Sequence, residues 1–149
     1  MSNLKQLQMV AELEIKKEQK LAQNYQFAAK NLQDNQQKLS GLEQYRLDYL
    51  KLQQKGKLGV EAKQLHQHLS FVAKLDRACE QQIQFVSQAV LVADQRKRQW
   101  LDQQKRRKAI EMLIASKTKD AIAVESRAEQ QMFDEIAIQK FVRRGPVLR

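Results

Sequence analysis

His66, His68 and Cys79 are the residue types in this chain with the widest chemical reach, able in principle to ligate a metal, carry protons or attack a carbonyl. Their spacing argues against all three roles. His66 and His68 stand two residues apart, which on a helix sends them to different faces, and Cys79 follows more than two turns later. Zinc needs three or four converging ligands, and helical ligand pairs usually come four residues apart. No glycine-rich phosphate loop is present, and no serine, cysteine or histidine sits in a nucleophile setting. The expectation is a protein with no catalytic residue, no metal and no cofactor, and therefore not an enzyme.

A second candidate is electrostatic. The formal charge is +10, and residues 94–108 hold seven basic and two acidic groups, net +5, whereas residues 1–54 hold eight and six, net +2. The belt comprises Arg96, Lys97, Arg98, Lys105, Arg106, Arg107 and Lys108. Clustered cations on a helix are the footprint of phosphate binding, so a basic coiled-coil nucleic-acid binder is one reading, with an affinity that falls steeply with salt. In basic-zipper proteins, however, the basic region precedes the zipper, and here it follows the stronger apolar repeat. Acidic Glu14 and Glu18 are expected to lie opposite part of the belt, Glu18 near Lys97. An acidic protein surface is the expected partner, with neither a nucleic acid nor a small-molecule substrate.

These groups must be carried by long helices. Glutamine occurs 24 times and proline once, at Pro146, so unbranched helix formers dominate and turn punctuation is scarce. Steps of three and four from Leu4 reach Leu7, Ala11, Glu14, Glu18, Leu21, Tyr25, Ala28, Leu32, Asn35, Leu39, Leu42, Arg46 and Tyr49, of which all but Glu14, Glu18, Asn35 and Arg46 are apolar. A 3.5-residue repeat sustained this far is a coiled-coil seam. Over about 50 residues such a helix extends roughly 75 Å, a length that only another long helix can cover. Ser2 or Asn3 is suited to cap its start.

The interior break is Gln54-Lys55-Gly56-Lys57-Leu58-Gly59-Val60, where two glycines permit the backbone to reverse. The fold expected is all-α, a single antiparallel coiled-coil hairpin: first helix about 4–53, tip about 54–60, second helix about 61–142, flexible tail 143–149. After the tip the stepping resumes at Leu65, Leu69, Val72, Asp76, Cys79, Ile83, Val86, Val90, Ala93, Lys97 and Trp100, with Trp100 read as core. Antiparallel partners have numbers adding to about 115. Beyond about residue 115 the second helix therefore outruns the first, leaving Ile122, Val124, Met132, Phe133, Ile136, Ile138 and Phe141 in need of cover. Met132, Phe133, Ile136 and Phe141 read either as partner anchors or as a frayed amphipathic end.

Near the tip, Leu42, Tyr45 and Tyr49 share one face of the first helix, and Phe71, Leu75 and Ala78 one face of the second. Tyr45 and Phe71 lie beside the seam, so part of this aromatic surface is expected to stay exposed, as interface anchors do. The longest apolar run, Ala89–Ala93, is far short of a membrane span. The first residues lack a signal-peptide pattern and the single cysteine has no disulfide mate, so a cytoplasmic setting is expected.

In order along the chain, the aromatics Tyr45 and Tyr49 before a glycine-bearing tip, the segment Leu69-Ser70-Phe71-Val72-Ala73-Lys74-Leu75, the run Arg107-Lys108-Ala109-Ile110-Glu111 and the closing Glu129-Gln130-Gln131-Met132-Phe133-Asp134-Glu135-Ile136-Ala137 resemble the flagellar export protein FliJ family. The tail Arg143-Arg144-Gly145-Pro146-Val147-Leu148-Arg149 has no counterpart in that pattern. The resemblance implies an antiparallel coiled coil similar to the central stalk of rotary ATPases. It implies a non-enzymatic stalk and adaptor that binds the hexameric export ATPase, promotes its ring assembly and couples it to the export gate. The belt with Met132, Phe133 and Ile136 would meet the ATPase, and Leu42, Tyr45, Tyr49, Phe71, Leu75 and Ala78 the linker of the export-gate membrane protein. Handling of export chaperones and peripheral membrane association at the flagellar basal body are implied as well. The equivalent stalk of a virulence type III secretion system shares the same design and is the nearest rival.

Overall fold

Helix-favouring composition and the near absence of breakers produce two long helices, α1 (Ser2–Gln54) and α2 (Ala62–Arg144). The computed structural model describes residues 2–54 and 62–145. The expected tip falls almost wholly on residues 55–61 and so lies outside the described residues. The two helices pack against one another as a helical hairpin with the second helix longer, as the repeat pattern predicts. Because α1 begins at Ser2, Asn3 is inside the helix and does not cap it. Gly41 is also helical, and a methyl group placed on it would meet no atom within 4 Å.

By proximity the chain forms two compact units, Lys17–Gln103 and Met1–Lys16 with Gln104–Arg149, and each long helix contributes to both. In the Lys17–Gln103 unit the helices run antiparallel. Going back along α1 from Tyr49 to Asn35 to Tyr25, the contacts advance along α2 from His68 to Gln82 to Trp100, with Tyr25 and Trp100 ring centroids 5.7 Å apart. The expected stripe of α1 is the observed one: all fourteen positions from Leu4 to Tyr49 are buried or half-buried.

The stripe of α2 differs from expectation at its first member, Leu65, which is 48% exposed, and throughout one of its two heptad positions. Val72, Cys79, Val86, Ala93 and Trp100 do face the seam. Their companions are His68, Leu75, Gln82, Ala89 and Arg96, each one residue before the expected Leu69, Asp76, Ile83, Val90 and Lys97. Ile83 is thereby 47% exposed, while Gln82 is 4% exposed. The physical reason lies on α1. Asn35 occupies its seam, and a polar side chain there must be matched across the interface. Gln82 does so, its Nε2 donating to the Asn35 carbonyl oxygen and to Oδ1, both at 3.0 Å. Similarly Arg46, another polar seam residue of α1, pairs with Asp76 beside the α2 seam. Counting apolar residues favours Ile83 over Gln82, but satisfying Asn35 favours Gln82.

The buried apolar residues are Ala11, Ala28, Leu75, Cys79, Ala89 and Ala93, nearly all small. Two helices alone shield only a narrow stripe, so small side chains that let the backbones approach are the ones that disappear from solvent. In the second unit, Leu4, Leu7 and Glu14 are half-buried beside buried Ala11, while α2 offers Gln104, Arg107, Ile110, Ile114, Thr118 and Ala121 as half-buried positions. Thr118 turns its Oγ1 back to the Ile114 carbonyl at 2.8 Å. From Ile122 to Arg144 every residue is exposed, so cover on α2 ends a few residues later than expected. The helix closes at Gly145, whose φ of 63° is the left-handed value glycine adopts most readily, and whose N–H donates to the Val142 carbonyl at 3.0 Å. Arg143 and Arg144 occupy the last turn, where cations meet the negative end of the helix dipole.

Candidate functional site

Three surfaces hold the residues singled out by sequence. The first is the aromatic patch of the Lys17–Gln103 unit. The Tyr45 and Phe71 ring centroids are 6.2 Å apart and nearly perpendicular, and Tyr49 stacks obliquely on Phe71 at 4.7 Å. Tyr45 remains 53% exposed, whereas Leu42, Tyr49, Phe71 and Ala78 are half-buried. Leu75 is one of the buried core residues and presents almost no surface of its own.

Sequence reasoning missed His68 as a member of this cluster. Its ring lies 4.5 Å from Tyr49, and its Nδ1 shares a hydrogen bond with the Tyr49 hydroxyl, while its buried Nε2 has no partner. The available signal was register: positions 49 and 68 are antiparallel partners, and both belong to seams once the α2 stripe is correctly phased. His66 is exposed, and no three side chains of His, Cys, Asp or Glu converge on a point among the described residues.

A groove between the helices is lined by Asn31, Asn35, Lys38, Phe85, Ala89 and Val92. Its sequence signal is a seven-residue repeat, Phe71, Ala78, Phe85 and Val92, standing beside the seam.

The second surface is the basic belt. Within Lys17–Gln103, Arg96 is half-buried at a seam position, and its Nη1 donates to Gln99 Oε1 at 3.4 Å, while Lys97 and Arg98 are exposed. Lys97, expected opposite Glu18, is thus not a seam residue. In the other unit Arg107 is half-buried and its Nη1 donates to both carboxylate oxygens of Glu111 at 3.0 and 2.9 Å, leaving Lys105, Arg106 and Lys108 exposed. Glu14, Glu18, Gln103 and Arg107, all turned toward seams, each engage a partner. Part of the belt is therefore structural, and five cations face solvent.

The third surface is the uncovered end of α2. Phe133 is 69% and Phe141 77% exposed, with Met132 and Ile138 similarly open and Ile136 less so. Large apolar side chains left in water in this density mark interaction surfaces. No helix among the described residues is long and apolar enough to cross a membrane.

Neither a comparison with curated proteins nor one with solved structures yields a match. The chain does match the FliJ family, flagellar FliJ protein, over residues 3–146, which takes in both helices, the aromatic patch, the belt and the uncovered end. This helical hairpin, its second arm the longer, belongs to the FliJ family of flagellar type III export proteins.

Proposed function

We propose that this protein is a non-enzymatic stalk and adaptor of the flagellar export apparatus, acting in the cytoplasm and peripherally at the membrane of the basal body. The observation that carries the reading is the run from Ile122 to Arg144, a helix with no cover along its length and with large apolar side chains in water. Such an end suits insertion into a ring. The hexameric export ATPase would receive Met132, Phe133 and Ile136, while its acidic surfaces meet Lys97, Arg98, Lys105, Arg106 and Lys108, with Arg96 and Arg107 shaping the belt. Seating one helix end on several subunits at once promotes ring assembly. The patch of Tyr45, Tyr49 and Phe71, with Leu42, Ala78 and buried Leu75, is assigned to the linker of the export-gate membrane protein. Empty export chaperones are further partners. The family match supports the flagellar setting over a virulence secretion system.

The test is the hydrolysis rate and assembly state of the cognate export ATPase, with and without this protein, at two salt concentrations. Stimulation with ring formation, weakened but not erased by salt, is the expected result. No effect on either quantity would reject the stalk reading and turn attention to nucleic-acid binding, measured as the slope of log affinity against log salt. For the gate, Tyr45→Ala with Phe71→Ala should leave helicity nearly intact and abolish binding of the gate linker. Unchanged binding would make the patch a purely structural feature.

A further inference from the structure

The uncovered end of α2 has an internal order of charge that insertion into a ring does not require. One face, stepped by three and four residues, carries acidic Glu125 and Glu129, then apolar Met132, Phe133 and Ile136, then basic Lys140 and Arg143. Asp134 and Glu135 fall on other faces. All seven side chains of this face are exposed. Within one helix the order is unfavourable, because Glu125 and Glu129 are like charges four residues apart and Lys140 and Arg143 like charges three apart.

Turned end for end, the same face is its own complement. Laid antiparallel across a two-fold axis near residue 134, Glu129 of one copy meets Lys140 of the other, Glu125 meets Arg143, and the apolar centres coincide. A parallel arrangement would set acids on acids and bases on bases. We propose that the uncovered end of α2 pairs antiparallel with the same segment of a second copy of this chain. The interface is isologous, so each contact occurs twice, and it closes at a dimer without leaving an edge for further growth. The apolar centre drives association and the flanking charges set orientation. The inference does not rest on the export reading. It does have a consequence for it: Met132, Phe133 and Ile136 cannot serve a second copy and another partner together, so dimerisation keeps the apolar end out of water until that partner takes it.

The experiment uses the full chain alone, with molar mass measured by light scattering over a concentration series. The wild type is expected to pass from monomer to dimer as concentration rises. Glu125→Lys with Glu129→Lys should weaken the dimer by about tenfold or more, as should Lys140→Glu with Arg143→Glu. One chain carrying all four reversals should recover it, because the antiparallel complement is restored with the signs exchanged. Circular dichroism on each variant checks that helicity is retained. A wild type that stays monomeric up to its solubility limit would overturn the proposal and leave the face to a different protein. So would a dimer indifferent to both double reversals. A fourfold variant that fails to recover would overturn the antiparallel charge pairing.

Discussion

Two stretches of α2 show what a partner does to a helix. Between Val72 and Gln103, residues at alternating steps of three and four are buried or half-buried against α1, and polar Gln82 and Gln103 are among the most buried side chains of the protein. Between Ile122 and Arg144 every residue of the same helix is exposed, and Phe133 and Phe141 stand in water. Helix propensity does not distinguish the two stretches, since both draw on the good helix formers Ala, Gln and Arg and neither contains glycine or proline. Once a helix is nucleated, adding residues is nearly neutral to favourable, so the uncovered end extends from the packed part without tertiary support. Packing decides what each stretch can do: the covered one specifies a partner helix, and the uncovered one retains apolar surface for another molecule.

Substitutions that contrast the two stretches should divide by size. Leu75→Ala removes a buried leucine and should destabilise by about 2–5 kcal/mol, read from urea unfolding. A loss under about 1 kcal/mol would mean that the α2 stripe runs through Asp76 and Ile83 after all. Next in size is the polar layer. Gln82→Ala leaves Asn35 facing the seam without its donor and should cost about 1–3 kcal/mol, whereas Asn35→Leu with Gln82→Leu should recover most of that loss. A double variant no better than the single would show that the layer contributes more than mutual satisfaction. Gly41→Ala should stabilise by about 1 kcal/mol, because the added methyl has open space and glycine is the poorer helix former. Destabilisation there would reveal a contact on that face. The smallest effect belongs to the uncovered end: Phe133→Ala should change unfolding of the protein at low concentration by no more than about 0.5 kcal/mol. A larger loss would show that the end is covered in solution, which dilution would then reverse if the cover is a second copy.

How far these features are legible in the sequence differs between the helices. On α1 the repeat from Leu4 to Tyr49 is read correctly because its flanking positions are mostly polar, so only one stripe is available. On α2 the flanks are apolar too: Leu69, Ile83 and Val90 lie on one side of the seam and Phe71, Phe85 and Val92 on the other. An apolarity count then finds two stripes sharing one set of positions and selects the more hydrophobic. The proximity of Tyr45, Tyr49 and Phe71 follows from hairpin geometry and is visible beforehand, but the recruitment of His68 and the burial of Leu75 depend on the phase of α2. The uncovered end is foreseen from unequal helix lengths alone, with only its starting point placed a few residues early.

Composition and periodicity by themselves determine that this chain makes two long helices of unequal length, where the α1 seam runs and that one end lacks a partner, because helix formation is local and length is additive. Only the tertiary structure decides which neighbours fill the α2 seam. That choice depends on groups far apart in sequence, Asn35 with Gln82, Arg46 with Asp76 and Tyr49 with His68, whose cross-helix contacts all form in one register. A polar side chain in a seam is a liability on its own helix and becomes a specification only when the facing helix supplies its partner.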